Sequence, residues 1–210
     1  MPPDKPQIMP RQARNYFILA AFFLLLPSFA SIYHGHSGKV LVATEKLHGT
    51  RFEKTVIFLG RHRLTGSQGV VVNDPAPGLE FRQEFPELAW NMILFDGGPL
   101  HYGARHFLLL PHDRDPAKPP SMISTVQLAN DNPDLYETLS QRQNEQPARL
   151  YTGFAGWGAF QLNQEIWGDY WYVIDYDPAL FEQMPAGDLW PIALEKAKKE
   201  QEIQRRLDRL

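Results

Sequence analysis

The sequence predicts one compact α/β (α+β) domain. Its expected form is a single mixed, largely antiparallel sheet system with flanking helices, preceded by one hydrophobic N-terminal helix. Three observations carry this. Short runs rich in β-branched and aromatic residues recur between turn residues, as in KVLVA (39–43), TVIFLG (55–60) and GVVVN (69–73). Two stretches, 160–167 and 188–210, switch to helical spacing. An uncharged apolar run, YFILAAFFLLLPSFASIY, fills 16–33. With 210 residues, 43% of them hydrophobic, the chain can fill one core but would be cramped as two domains.

Residues 1–15 are polar and proline-bearing, with Lys5, Arg11 and Arg14 as their cations. The run at 16–33 that follows has the layout of a membrane anchor or an export signal. As a helix it reaches roughly 27 Å, enough for a thin bilayer core. Pro27 followed by Ser28-Phe29-Ala30 also suits a signal-peptidase site, so a cleaved leader is the alternative to the anchor that we favour. Cations precede the run, whereas HGHSGK after it offers only Lys39. The cation-rich side marks the cytoplasm, so the body is expected to face the periplasm or exterior.

A linker at 34–38 leads into the domain, expected over 39–194. The hairpin strands 55–60 and 69–73 flank RHRLTGSQ, read as their loop. DPAPGLEF (74–81) reads as a loop, RQEFPELAW as a helical turn at most, and MILF (92–95) as a strand. DGGP turns the chain into a strand at 105–112, and DRDPAKPP makes an exposed excursion. Strands are expected at 121–129, 148–155 and 170–176. Asn132 can cap a helix with Pro133 in its first turn. In GAFQLNQEIW, Leu162 and Ile166 share a helical stripe. The charged end, 195–210, carries Glu195–Lys199 and Glu202–Arg206 at pairing distance, and Ile203, Leu207 and Leu210 give it only a narrow apolar stripe. That end is expected to project into solvent or to touch a partner.

The formal net charge is −3 and the pI about 6.2, from interspersed acids and bases. Such a surface does not gather polyanions, so nucleic acid is not an expected partner. Cysteine is absent, which removes disulfides, thiolate metal sites and cysteine nucleophiles together.

Three blocks, GKVLVATEKLHGTRFEKTVIFLGRHRLTGSQGVVVN (38–73), DGGPLHYGARHFLLLPHD (96–113) and GFAGWGAFQLNQEIWGDYW (153–171), together resemble the YqgE/AlgH family. Some of its members are described as transcriptional regulators, and the family otherwise has no established function. The resemblance implies a compact α/β domain without a recognised catalytic set, and a cytoplasmic location. The chain departs from the family pattern in its leader, in Gly60 where a cysteine is frequent, and in the proline-rich 114–120.

Candidate sites follow from glycine loops and histidines. Gly156, Trp157 and Gly158 stand between a strand and a helix, where a sharp turn plugged by an indole is the structural reading and anion binding by helix-start amides the functional one. Gly97 and Gly98 in DGGP pose the same choice. His101, His106 and His112 lie nearby, but spacings of five and six match no metal motif. His34 and His36 form a linker pair. His62 and Asn73, with Arg61 and Arg63 near, are expected to converge as a polar patch for an acidic partner. Asp96, Asp113 and Glu165 are acids without a geometric reason to meet, and Arg51 and Glu53 suggest surface or partly buried ion pairs.

No catalytic residue, metal ligand or cofactor is assigned. The ligand-binding candidates are Gly97, Gly98, His106, Gly156, Trp157, Gly158, His62 and Asn73. The expected function is a non-catalytic binding or regulatory module, tethered to a membrane through 16–33 and engaging a protein partner. One alternative is a small hydrolase or transferase with a pocket between the DGGP and GWG loops. Another is a structural homodimer subunit.

Overall fold

The computed structural model describes residues 35–76, 92–109, 120–124, 148–182, 187 and 189–209. The apolar run at 16–33, the helix expected after Asn132, His34, His112 and Asp113 lie outside the described residues. Among the described residues there are eight strands: β1 (Val40–Ala43), β2 (Val56–Arg63), β3 (Gly66–Val71), β4 (Met92–Asp96), β5 (Leu100–Leu109), β6 (Ser121–Ser124), β7 (Ala148–Trp157) and β8 (Trp171–Ile174). Three α-helices, α1 (Gln161–Trp167), α2 (Pro178–Glu182) and α3 (Leu189–Leu207), and a short 3-10 turn at Glu45–Leu47 accompany them among the described residues. No helix among the described residues is long and apolar enough to cross a membrane.

The sheet runs β6-β5-β7-β3-β2-β1-β8, with β4 also on β7. All the pairs are antiparallel except β4–β7. Both faces are covered, which is why VLVA of β1 is buried throughout rather than alternating. On one face Leu41, Ile57, Leu59 and Val71 pack with Leu162 of α1. On the other, Val40, Val42, Phe58 and Val70 pack with Phe181 of α2 and with Leu189, Ala193, Leu194 and Ala197 of α3.

The strand β7 is the spine of the sheet. Residues 148–152 lie beside β4, and 155–157 lie beside β3, so the two shorter strands follow one another along one flank of β7.

Several boundaries differ from expectation. The β2–β3 hairpin is longer, because Arg61↔Gln68, His62↔Ser67 and Arg63↔Gly66 continue the ladder and leave only Leu64 and Thr65 as the turn. Its polar residues read as loop because the hairpin end has less core to cover. The fifth strand begins at Leu100, directly after DGGP, and not at 105. The 34–38 linker is a turn where described: Ser37 Oγ accepts from His62 N (2.7 Å) and donates to His62 O (3.3 Å). The C-terminal helix packs as far as Ala197, and beyond it Ile203 and Leu207 are exposed. The expected Glu202–Arg206 pair forms at 2.8 Å.

Candidate functional site

The GWG segment closes an indole cluster. Trp157, the last residue of β7, is buried beside Phe52 and Trp171, with ring centroids 6.4 and 6.0 Å away. The chain then turns at Phe160, whose φ of 60° does the work expected of the glycines. One turn into α1, Glu165 Oε2 accepts from Trp157 Nε1 and from Trp171 Nε1, each at 2.8 Å. Its Oε1 accepts from Gln161 Nε2 (2.9 Å), and Gln161 Oε1 accepts from Gly158 N (3.0 Å). The amide offered as an anion donor is therefore engaged by a side chain. A helix of seven residues also adds little dipole.

The DGGP segment is the junction where β4 leaves β7 and β3 joins it. Gly97 N donates to Thr152 O (2.7 Å), and Gly97 O accepts from Val71 N (2.9 Å), so one residue ties both flanking strands. A Cβ at Gly97 would stand 2.6 Å from Gly153 O. At Gly98, with φ of 138°, it would stand 2.5 Å from the carbonyl carbon of Phe154. Gly153, with φ of 68°, faces Gly98 O in turn. Backbone meets backbone here, and the space between the DGGP segment and β7 is occupied. Gly156 lies in extended β7 under Leu100, whose Cδ1 would be 2.7 Å from an added Cβ.

His62 and Asn73 do not converge. His62 is at the turn end of the hairpin, with Nδ1 2.9 Å from Ser67 Oγ. Asn73 is at the other end, where its Oδ1 accepts from Val56 N (2.8 Å) and its Nδ2 donates to Lys54 O (2.9 Å). Six residues of β2 separate these ends, roughly 20 Å at strand rise. His36 packs its ring 5.2 Å from that of His62. It is half-buried against the fold. His106 is buried on β5, edge-on to Phe154, with Nε2 3.4 Å from Gln68 Nε2. Burial pushes the pKa of His106 below the ordinary value, against a smaller opposing effect of the Gly153 backbone. Burial does the same to His62, followed by the charge of His36, and to His36, followed by Lys39. Exposed His101 stacks on Phe154 at 5.6 Å. Among the described residues no group of three His, Cys, Asp or Glu could hold a metal.

Asp96 and Glu165 do not meet. Asp96 Oδ1 caps Gly98 N (3.0 Å), and its Oδ2 lies 3.5 Å from Arg51 Nη2. Glu53 instead holds His48 (2.9 Å) and Gly49 N (2.8 Å). Partial desolvation, followed by the charge of Asp96, raises the pKa of Asp74 against the pull of Arg51. This acidic pair was not legible, because 21 intervening positions say nothing of the backbone bond from Asp96 N to Asp74 O (2.9 Å).

Two further features escaped the sequence reading. Buried Arg149 donates from Nη2 to Phe181 O (2.6 Å), and burial lowers its pKa, opposed by Tyr151 and Tyr176. Strand alternation, which places Arg149 and Tyr151 on one face, was the only signal. The second is a cleft of about 410 Å³ along the outer edge of β8, lined by Ile166 of α1, Trp171 to Val173, and Ala197, Gln201 and Gln204 of α3. Beside it Trp167 is 78% exposed.

The AlgH-like family model matches residues 40–202. A UPF0301 protein of Bradyrhizobium sp. is 31% identical over 173 residues, covering 76% of this chain and 80% of the relative. Another, from Paracoccus denitrificans, is 32% identical over 168 residues, covering 75% and 87%. Among solved structures, the AlgH protein of Pseudomonas aeruginosa matches with a TM-score of 0.53 at 20% identity, covering 74% of this chain and 85% of that one. A Corynebacterium diphtheriae protein matches at 0.58 and 21%, covering 80% and 91%.

Proposed function

The chain belongs to the AlgH-like family, and on that premise we propose that its domain is a non-catalytic binding or regulatory module, held at a membrane by 16–33 and engaging another protein. The observation that carries this reading is where the free surface lies. The glycine loops that sequence offered as a pocket are filled by backbone contacts and by Gln161. An open cleft instead runs along the β8 edge, mixing Ile166, Trp171 and Val173 with polar Asp169, Gln201 and Gln204, and Trp167 and Tyr170, its neighbours in sequence, are exposed. A strand edge that, like that of β8, pairs with no further strand among the described residues and has side-chain recesses accepts an extended segment of a partner. The same edge, with exposed Ile203 and Leu207, also favours a homodimer as second reading.

The test is a photo-crosslinking residue at Tyr172, on β8, in the full chain, with carbonate-washed membranes of the producing cells as the sample. The expected result is a discrete heavier adduct in the pellet that is absent when the crosslinker stands at Lys54. An adduct of twice the chain mass selects the homodimer. No adduct, or equal adducts from both positions, overturns the binding reading.

A further inference from the structure

We propose that the hairpin end of the sheet rests on a lipid surface bearing anionic headgroups. This rests on the membrane reading above. Arg61 and Arg63 are exposed on either side of buried His62, and neither makes an ion pair among the described residues. Several cations elsewhere in the domain are matched: Lys46 with Asp169, Lys39 with Asp175, Lys198 with Glu45, Arg51 with Asp96. The hairpin end thus presents two exposed guanidinium groups that no carboxylate among the described residues offsets, and the same holds for the exposed cations Lys199 and Arg205 on the distant half of α3.

Apolar surface gathers at the same end. Phe160 N donates to Leu64 O (3.1 Å) at the turn, and Phe160 is 51% exposed. Leu100, 41% exposed, covers Gly156, which pairs with Gln68, which pairs with Arg61. A row from β5 to β2 thus joins an exposed leucine to an exposed arginine. Arginine suits such a rim, because its stem lies along apolar surface while the guanidinium grips phosphate oxygens in a fork.

The chain's entry fixes the distance. Ser37 is bonded to His62, at the hairpin end, and four residue steps separate it from Tyr33, the end of the apolar run. Fully extended, these span at most roughly 14 Å. An inserted 16–33 helix would thus deliver this end of the domain, and not the opposite end with Trp167, to the headgroups.

The chain has no cysteine, so one introduced thiol reports its own position. The full chain, carrying Thr65→Cys at the turn or Trp167→Cys at the far end of α1, is labelled with an environment-sensitive fluorophore. It is then reconstituted in phosphatidylcholine vesicles with or without phosphatidylglycerol, and flotation after carbonate treatment checks insertion. The expected result is a blue-shifted Thr65 label, quenched by bilayer-held quencher when phosphatidylglycerol is present, and a Trp167 label that stays in water. R61Q and R63Q should each lower the lipid-apposed population roughly fivefold, with unchanged melting. A floating chain whose Thr65 label stays in water overturns the inference alone and leaves the arginines to an acidic protein partner. A chain that does not float overturns the membrane reading and this inference with it.

Discussion

Glu165 holds two indole N–H groups with one oxygen, which makes a single carboxylate the keystone of the Trp157–Trp171 cluster. Glu165→Ala strands both indole donors, at about 1–3 kcal/mol each, so a loss of about 2–6 kcal/mol is expected in chemical unfolding, with tryptophan emission shifted to the red. Glu165→Gln keeps an acceptor oxygen and should cost about half as much. The glycines divide by a different rule. Gly98→Ala places a Cβ 2.5 Å from backbone at φ of 138° and should cost at least about 3 kcal/mol or prevent folding. Gly49→Ala, at φ of 74° with nothing within 4 Å, should cost about 1 kcal/mol. Equal losses in the two melting curves would contradict the junction account. Sequence identified DGGP as a point where the backbone needs freedom, whereas after GWG the positive φ falls on Phe160 and not on a glycine. The reason for DGGP, a close approach to Gly153 more than fifty positions away, has no local signature.

At the scale of elements, the helix α3 shows which half of an amphipathic stretch matters. Its buried residues end at Ala197, so Leu194→Ala should cost about 2–4 kcal/mol. Removal of 203–210 should leave stability within about 0.5 kcal/mol, because Ile203 and Leu207 are exposed. Thermal melts of the two variants check this, and a large loss from the truncation would show that the helix end is part of the core. Strands packed between two helical layers were legible, since burial on both faces demands runs such as VLVA and VIFL. The end of the β2–β3 hairpin was not, since RHR and GSQ carry polar residues at positions where the ladder continues beyond the densest core. The parallel β4–β7 pairing was also out of reach, because it joins strands separated by more than fifty residues.

For the molecule as a whole, three histidines tie stability to pH. His36, His62 and His106 all have pKa values lowered mainly by burial from the ordinary 6.5, so between the two values the unfolded chain binds more protons than the folded one. Stability is thus complete above pH 6.5, falls as the pH drops from 6.5 toward the lower folded values, and levels off below them. Urea midpoints measured from pH 7.5 to 5 should decline, and His106→Gln should flatten that decline. An unchanged slope would show that His106 does not contribute. The family and the layered sheet were legible from block order, while the β8 cleft was not, because its walls come from α1, β8 and α3. The central claim, a domain held outside a membrane, is tested most directly with Lys199→Cys on the exposed face of α3. A membrane-impermeant thiol reagent should label it in intact cells, and the labelled chain should remain in the carbonate-washed pellet. Labelling only after lysis, or release of the chain into the supernatant, would contradict the account.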